Sequence, residues 1–363
     1  MTTDSSAAQA ISVAAAQAEL ERHFVAIVRR HFSPATGTPY WLDWAAAAGW
    51  DPAAEVSAFA DVLRFPPFDG ELLRGEPHER FVPRAFAGRP FTIFETGGTT
   101  GMPKQRIGWD DYKVDYEAFS ETLDDEAFPR GGYWLMIGPT GPRRLRLAIE
   151  HLAHHRGSAC YFVDLDPRWV KKLIASDRGE LAREYMGHVI DQAVSILEHR
   201  DVSVLFTTPK LLEALSERLS IPGAGVKGVF CGGTTMSPQI LRFLIEEVLE
   251  GQVALVPTYG NTLMGLAAHK PLTPEDGYSI TYHAPQPRAV LRVVDPDAPE
   301  RLVEHGQWGR VELTTLTPEL FLPRFLERDE AIRRPPCALY PWDGVGEVRP
   351  LGASEQKIIE GVY

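Results

Sequence analysis

Between residues 91 and 257, six short, mainly apolar runs (91–94, 133–137, 159–163, 202–206, 226–231 and 253–257) alternate with five amphipathic stretches (111–122, 143–155, 180–199, 209–219 and 238–249). A strand that is apolar on both faces must be covered on both, and a helical crossover between strands leads to a parallel neighbour. The rhythm therefore predicts an α/β core, a parallel sheet between helical layers. Before it, residues 7–32 have apolar positions at helical spacing and end on Arg29, Arg30 and His31, which suits a helix C-terminus. Proline and glycine interleaved with aromatic residues from 34 to 90 predict packed irregular structure with short helices. After Gly265 the helical stretches thin out, and runs at 278–282, 289–294 and 309–315 alternate, broken by Pro or Gly. They predict a smaller β-rich subdomain with a boundary near 265. The expected organisation is a helical and irregular part (1–90), an α/β sheet core (91–265) and a β-rich subdomain (266–350).

Charge and cysteines narrow the function classes. Lys plus Arg number 37 against 49 Asp plus Glu, a formal net charge of −12. Polyanion-binding surfaces need a basic excess, so neither nucleic acid nor an anionic membrane is an expected partner. Cys160, Cys231 and Cys337 are far apart and odd in number, without zinc spacing or a disulfide framework. The alanine-rich N-terminus lacks the basic start of a signal peptide, and no run approaches the ~20 apolar residues that span a bilayer. A cytoplasmic protein is expected. His151, His154 and His155 could share a helix face, but Arg156 follows them directly, so a polar face is expected. No Gly-x-Ser-x-Gly nucleophile motif occurs.

The most informative stretch is Thr96-Gly97-Gly98-Thr99-Thr100-Gly101-Met102-Pro103-Lys104, directly after the first apolar run. A loop rich in glycine and hydroxyls can wrap its N–H groups and side chains around phosphate oxygens, and Lys104 adds a point charge. It is not a Walker A loop, because Pro103 precedes the lysine and no Ser or Thr follows it.

This loop resembles the phosphate-loop signature of the adenylate-forming superfamily of acyl- and aryl-CoA synthetases, adenylation domains and luciferases, usually written [ST]SGTTGxPK. Thr96 takes the Ser/Thr place and Gly98 is the departure. Further segments follow in the family's order. Phe230-Cys231-Gly232-Gly233-Thr234-Thr235 resembles the glycine-pair loop that lines the adenine pocket, and Tyr259-Gly260-Asn261-Thr262 resembles the YGxTE segment. The resemblance implies that Tyr259 and Gly232, Gly233 and Thr234 bracket adenine, and that the Thr262 hydroxyl meets the α-phosphate. The family's magnesium-holding glutamate is replaced by Leu263, which cannot ligate a hard cation. Gly309-Arg310-Val311-Glu312-Leu313-Thr314-Thr315 is similar to a strand of the phenylacetate-CoA ligase branch, and Arg324, Phe325 and Asp329 fall in its RYRTGD place. There Asp329 would hold the ribose hydroxyls. Residues 351–363 resemble a degraded hinge, with Ala353 in place of its arginine. The expectation is a layered αβαβα domain with a β-rich subdomain and no C-terminal lid, the stand-alone aryl-activating kind found in phenazine (griseoluteic acid) tailoring.

The resemblance implies condensation of an aromatic carboxylic acid with ATP, giving an acyl-adenylate and pyrophosphate. Lys104 and the loop hold the outer phosphates, and with Leu263 in the glutamate's place Mg²⁺ is expected to be carried by the nucleotide, unless another carboxylate substitutes or catalysis is weak. The expected partner is a small carboxylic acid, passed on to a reductase or other acceptor; a homodimer is left open. The acid is placed between the glycine-pair loop and the helix after Trp109, against Gly138, Pro139, Phe206, Thr207, Gly260 and Met264. Two alternatives stand beside this reading: a non-catalytic nucleotide or aryl-acid binder, and a fatty acyl-protein synthetase using Cys337.

Overall fold

The computed structural model describes residues 2–96, 102–141, 144–232 and 235–352, with side chains from Ser12 onward. The chain divides into two compact units, and both are discontinuous in sequence. Phe94–Pro103 and Tyr112–Ile280 lie in an α/β unit; Met1–Ile93, Lys104–Asp111 and Thr281–Glu355 lie in a β-rich unit. The sequence rhythm changes at Gly265, whereas the chain leaves the α/β unit only after Ile280.

Two short strands come first, Thr92–Glu95 (β1) and Gln105–Gly108 (β2). The first apolar run is thus a strand, but it stays outside the parallel sheet expected for it. In the α/β unit, Tyr133–Gly138 (β3), Cys160–Asp164 (β4), Val202–Thr207 (β5), Gly228–Cys231 (β6), Ala254–Asn261 (β7) and Gly265–His269 (β8) lie in the order β8-β7-β6-β5-β3-β4. From β4 to β7 every neighbouring pair is parallel, and β8 returns antiparallel from β7. Unbroken runs such as Trp134, Leu135, Met136 and Ile137 are completely buried, as a sheet covered on both faces requires.

Helices follow the strands with proline at their first turn: Pro167–Ala175, Pro209–Ser216 and Pro238–Phe243. Proline loses no hydrogen bond there, and its fixed φ suits the helix. Asp166 and Ser237 cap two of them, each accepting from N–H groups of the first turn. The stretch 238–249 continues as a π turn at Leu244–Val248 rather than as one regular helix. Arg156, 1% exposed, donates to the carbonyls of Phe128 and Ser120 and pairs with Asp125, tying down the loop after the helix Asp111–Ser120.

The β-rich unit contains Thr281–His283 (β9), Ala289–Asp295 (β10), Ala298–Leu302 (β11), Trp308–Leu316 (β12), Phe321–Arg334 (β13) and Gly344–Pro350 (β14), all antiparallel in the order β11-β10-β12-β13-β14-β9. The aromatic residues scattered among the prolines pack in this unit. Phe24, Phe32, Trp41, Phe65 and Phe321 form one cluster, and the Trp41 indole donates to the Phe321 carbonyl at 3.0 Å. The N-terminal segment therefore shares this aromatic cluster with β13.

His31 in this unit yields a pH prediction. It is 1% exposed, with Nε2 2.8 Å from the Thr317 carbonyl and Nδ1 2.7 Å from the Thr38 hydroxyl. A carbonyl only accepts, so Nε2 carries the proton and Nδ1 accepts from Thr38. Burial pushes the imidazole down to about 4, against the helping bond to Thr317. The unfolded chain therefore takes up a proton near pH 6.5 before the folded protein does, and stability falls as pH drops from about 6.5 to 4. We expect His31 to contribute about 3 kcal/mol of that loss. Denaturant unfolding at pH 7 and pH 4 checks it: His31→Gln should lose distinctly less stability than the wild type, and equal losses would contradict the assignment.

Candidate functional site

Because β3, β5, β6 and β7 run parallel, their C-terminal ends emerge along one edge of the sheet. The chain goes from β3 outward to β4 and returns on the other side of β3 to lay down β5. Connections leave β3 and β5 in opposite directions, so a crevice opens between their ends, the usual ligand position in open α/β sheets. A cavity of about 470 Å³ lies there. Its wall includes Pro139 after β3, Asp164 and Leu165 at the end of β4, Phe206 of β5, Phe230 and Gly232 around the end of β6, and Thr258, Gly260 and Asn261 of β7.

The wall divides by polarity. Tyr116, Phe206, Phe230 and Leu266 are buried, and the Phe206 and Phe230 rings meet edge to face with centroids 5.0 Å apart. Burial raises the Tyr116 phenol above its ordinary range, so the hydroxyl stays neutral. Elsewhere the wall carries Glu95, Thr96, Asp164, Asp166, Arg168, Asn261 and Thr262. Arg168 donates to Glu95 at 2.8 Å, and Asp164 accepts from the N–H and hydroxyl of Thr140 at 2.9 and 2.7 Å. An apolar slot with a few convergent polar groups is the usual form of a small-molecule site.

Of the residues expected from sequence, Thr96, Pro139, Phe206, Gly232, Gly260, Asn261 and Thr262 come together on this wall. Gly138, Thr207 and Met264 are buried and do not line it. Tyr259 is part of β7, paired with Ala267 of β8, and is off the wall. The Thr262 hydroxyl donates to the Glu95 carbonyl at 3.0 Å. Leu263 is 2% exposed; its N–H and that of Met264 donate to Asn261 Oδ1 at 2.8 and 3.0 Å, which fixes the turn. Gly97, Gly98, Thr99, Thr100 and Gly101, together with Gly233 and Thr234, lie outside the described residues, as does the hinge-like segment from Ala353.

Lys104 and Asp329 stand in the β-rich unit. Lys104 is half-buried, with Nζ 4.4 Å from the Phe325 ring centre, and a Cβ on Gly70 would come within 2.5 Å of that ammonium. Burial lowers its pKa, Glu327 opposes that, and Arg328 and Arg74 add to it. Asp329 sits within β13 opposite Pro350, partly buried. Arg324 has a structural role: its Nε donates to buried Glu312 at 3.1 Å and its Nη1 to the Phe65 carbonyl at 3.1 Å.

The wall residues not expected from sequence include Tyr116, Arg144, Glu95 and Arg168. A signal for Arg144 exists, since it opens a helix, the end where the dipole disfavours cations. His151 pairs with Glu117 at 2.8 Å, as a polar helix face does. Among the described residues no group of three His, Cys, Asp or Glu is placed to hold a metal, and no helix is long and apolar enough to cross a membrane.

The chain superimposes on a solved open conformation of 2-hydroxyisobutyryl-CoA ligase in complex with 2-HIB-AMP and CoA, with TM-score 0.64 at 15% identity, covering 93% of this chain and 75% of that one. The same ligase in its postadenylation state with 2-HIB-AMP gives TM-score 0.64 at 15% identity, covering 94% of this chain and 68% of that one. No family model matches the chain, and no curated protein matches it by sequence. The mixed α/β fold expected from the sequence is thus the fold of these ligases.

Proposed function

We propose that the protein activates a carboxylic acid with ATP, forming an acyl-adenylate and releasing pyrophosphate. The observation that carries this reading is the cavity at the β3–β5 switch point, whose wall gathers Thr96, Gly232 and Thr262 from three separately recognised loops. The likeness in fold to a ligase solved with an acyl-AMP supports it. A carboxylate oxygen attacks the α-phosphorus, the bond from that phosphorus to the oxygen bridging to the β-phosphate breaks, and pyrophosphate leaves with the electron pair. Positioning the two anions and dispersing the charge of the transferring group are the tasks of the protein.

In this reading Lys104 and the Thr96 loop hold the outer phosphates, Thr262 meets the α-phosphate, Tyr259 and the Gly232 loop bracket adenine, and Asp329 holds the ribose. A phosphate oxygen would take the Thr262 hydroxyl from the Glu95 carbonyl. The turn at Leu263 does not fit a protein-held magnesium ion, because its side chain is aliphatic and buried; the ion comes with the triphosphate. The aromatic slot of Phe206, Phe230 and Tyr116 suits a flat aryl acid, and the resemblance favours a phenazine-type carboxylate used in cytoplasmic secondary metabolism.

Leu263 favours one competing reading, a nucleotide or aryl-acid binder without turnover. Carboxylate-dependent ATP–pyrophosphate exchange separates the two. Adenylation predicts exchange with at least one aryl acid of a broad panel, whereas nucleotide binding with no exchange across that panel would favour the binder.

A further inference from the structure

Arg144 is the one wall residue that breaks the rules of its surroundings. It is 4% exposed and lies at the first position of the helix Arg144–His155, where the macrodipole opposes a cation. Tyr116, Leu145 and Leu266 line the same wall, and the Phe94 and Tyr112 ring centres lie 5.6 and 6.0 Å from its guanidinium carbon. Its charge partner is Asp115, 4% exposed, at 3.6 Å. Gly265 closes against this pair: a Cβ there would lie 3.2 Å from Arg144 Nη2 and 3.3 Å from Asp115 Oδ2, and its φ of +105° also suits glycine.

A purely structural ion pair has no need to reach a cavity. Here Asp115 stays behind the wall while Arg144 lines it. A guanidinium is a rigid planar fork of donors that suits an oxygen acceptor held in the plane of an aromatic ring. The charge balance limits what that oxygen can be. Asp115 faces Arg144 at 3.6 Å, and among the described wall residues the carboxylates Glu95, Asp164 and Asp166 stand against the guanidiniums Arg144 and Arg168. A second full carboxylate would add to an existing negative excess. A ring carbonyl or hydroxyl would not.

We propose that the acid carries, besides the carboxylate that reacts, a neutral hydrogen-bond-accepting oxygen on its ring, and that Arg144 is the residue that selects it. The inference rests on the adenylation reading and deepens it.

The test compares aryl acids that differ only in that group: an unsubstituted acid, its ring-hydroxyl and ring-carbonyl analogues, and its dicarboxylate, each assayed by ATP–pyrophosphate exchange. The wild type should prefer the hydroxyl or carbonyl analogue over the unsubstituted acid and the dicarboxylate by about 10- to 100-fold in kcat/KM, the range for a hydrogen bond to a charged group. Arg144→Met takes a cation away from buried Asp115, so folding is protected in Asp115→Asn/Arg144→Met, which removes both charges. With folding checked by circular dichroism, the double variant should lose the preference, its ratio falling to near one. A wild type that treats all these acids alike, that favours the dicarboxylate, or whose preference survives in the double variant overturns the inference and leaves adenylation standing. No exchange with any acid overturns both.

Discussion

Lys104→Ala lowers acid-dependent ATP–pyrophosphate exchange by about 10²–10³-fold, the usual effect of removing one well-placed charge from a transferring group, and leaves AMP affinity little changed. The asymmetry follows from the assigned role: an ammonium that meets the outer phosphates contributes to handling the triphosphate and has nothing to grip in the monophosphate. The environment of Lys104 tunes its charge. The ammonium lies over the Phe325 ring, and burial pulls its pKa down while Glu327 holds it up. Its ammonium form is therefore lost at lower pH than an ordinary lysine's, so exchange should decline earlier on the alkaline side than an unperturbed lysine predicts. Lys104→Arg keeps the charge but not the compact geometry, and should restore only part of the rate. Unchanged exchange in Lys104→Ala would remove Lys104 from the phosphate site.

Glu312→Ala should destabilise the protein by about 3–5 kcal/mol, the range for breaking a buried ion pair by removing one partner. Glu312 is completely buried on β12 and receives Arg292 of β10 at 3.0 Å and Arg324 of β13 at 3.1 Å. Burial raises its pKa while both arginines oppose that. The carboxylate also fixes an unusual piece of backbone. Arg324 has φ +51°, in the left-handed region, where β12 and β13 shift register. From there its Nη1 reaches the Phe65 carbonyl, so one carboxylate ties three strands and the N-terminal segment together. Urea unfolding measures the effect, and a loss below about 1 kcal/mol, the level of an exposed pair, would show that the triad carries no such load.

What the sequence disclosed followed from burial. β3, β5 and β6 were legible because a strand covered on both faces is an unbroken apolar run, and the helices after them because proline and a capping residue mark their starts. β13 was legible only as scattered motif residues. Its Phe-Leu-Pro-Arg-Phe-Leu-Glu-Arg-Asp stretch buries Arg324 in an ion triad, so neither the apolar run nor the alternation that marks a strand survives. β2 has a similar concealment, since Arg106 in its Gln-Arg-Ile-Gly sequence is buried against Asp111. The site divides the same way. Loops with unusual composition, such as those of Thr96, Gly232 and Thr262, announce themselves locally, whereas Tyr116 and Arg144 become wall residues only when the fold brings their helices to the sheet edge. A charged residue that faces a cavity from inside a core leaves no periodic trace.

The acyl-adenylate is the claim on which the rest depends, and oxygen tracing tests it most directly. With an aryl acid labelled with ¹⁸O in both carboxylate oxygens, attack on the α-phosphorus places one labelled oxygen in the bridge, and cleavage at the acyl carbon leaves that oxygen on AMP. Mass spectrometry of the released AMP should show a single ¹⁸O. AMP formed without label, or ATP cleaved to ADP and phosphate instead, would contradict the account.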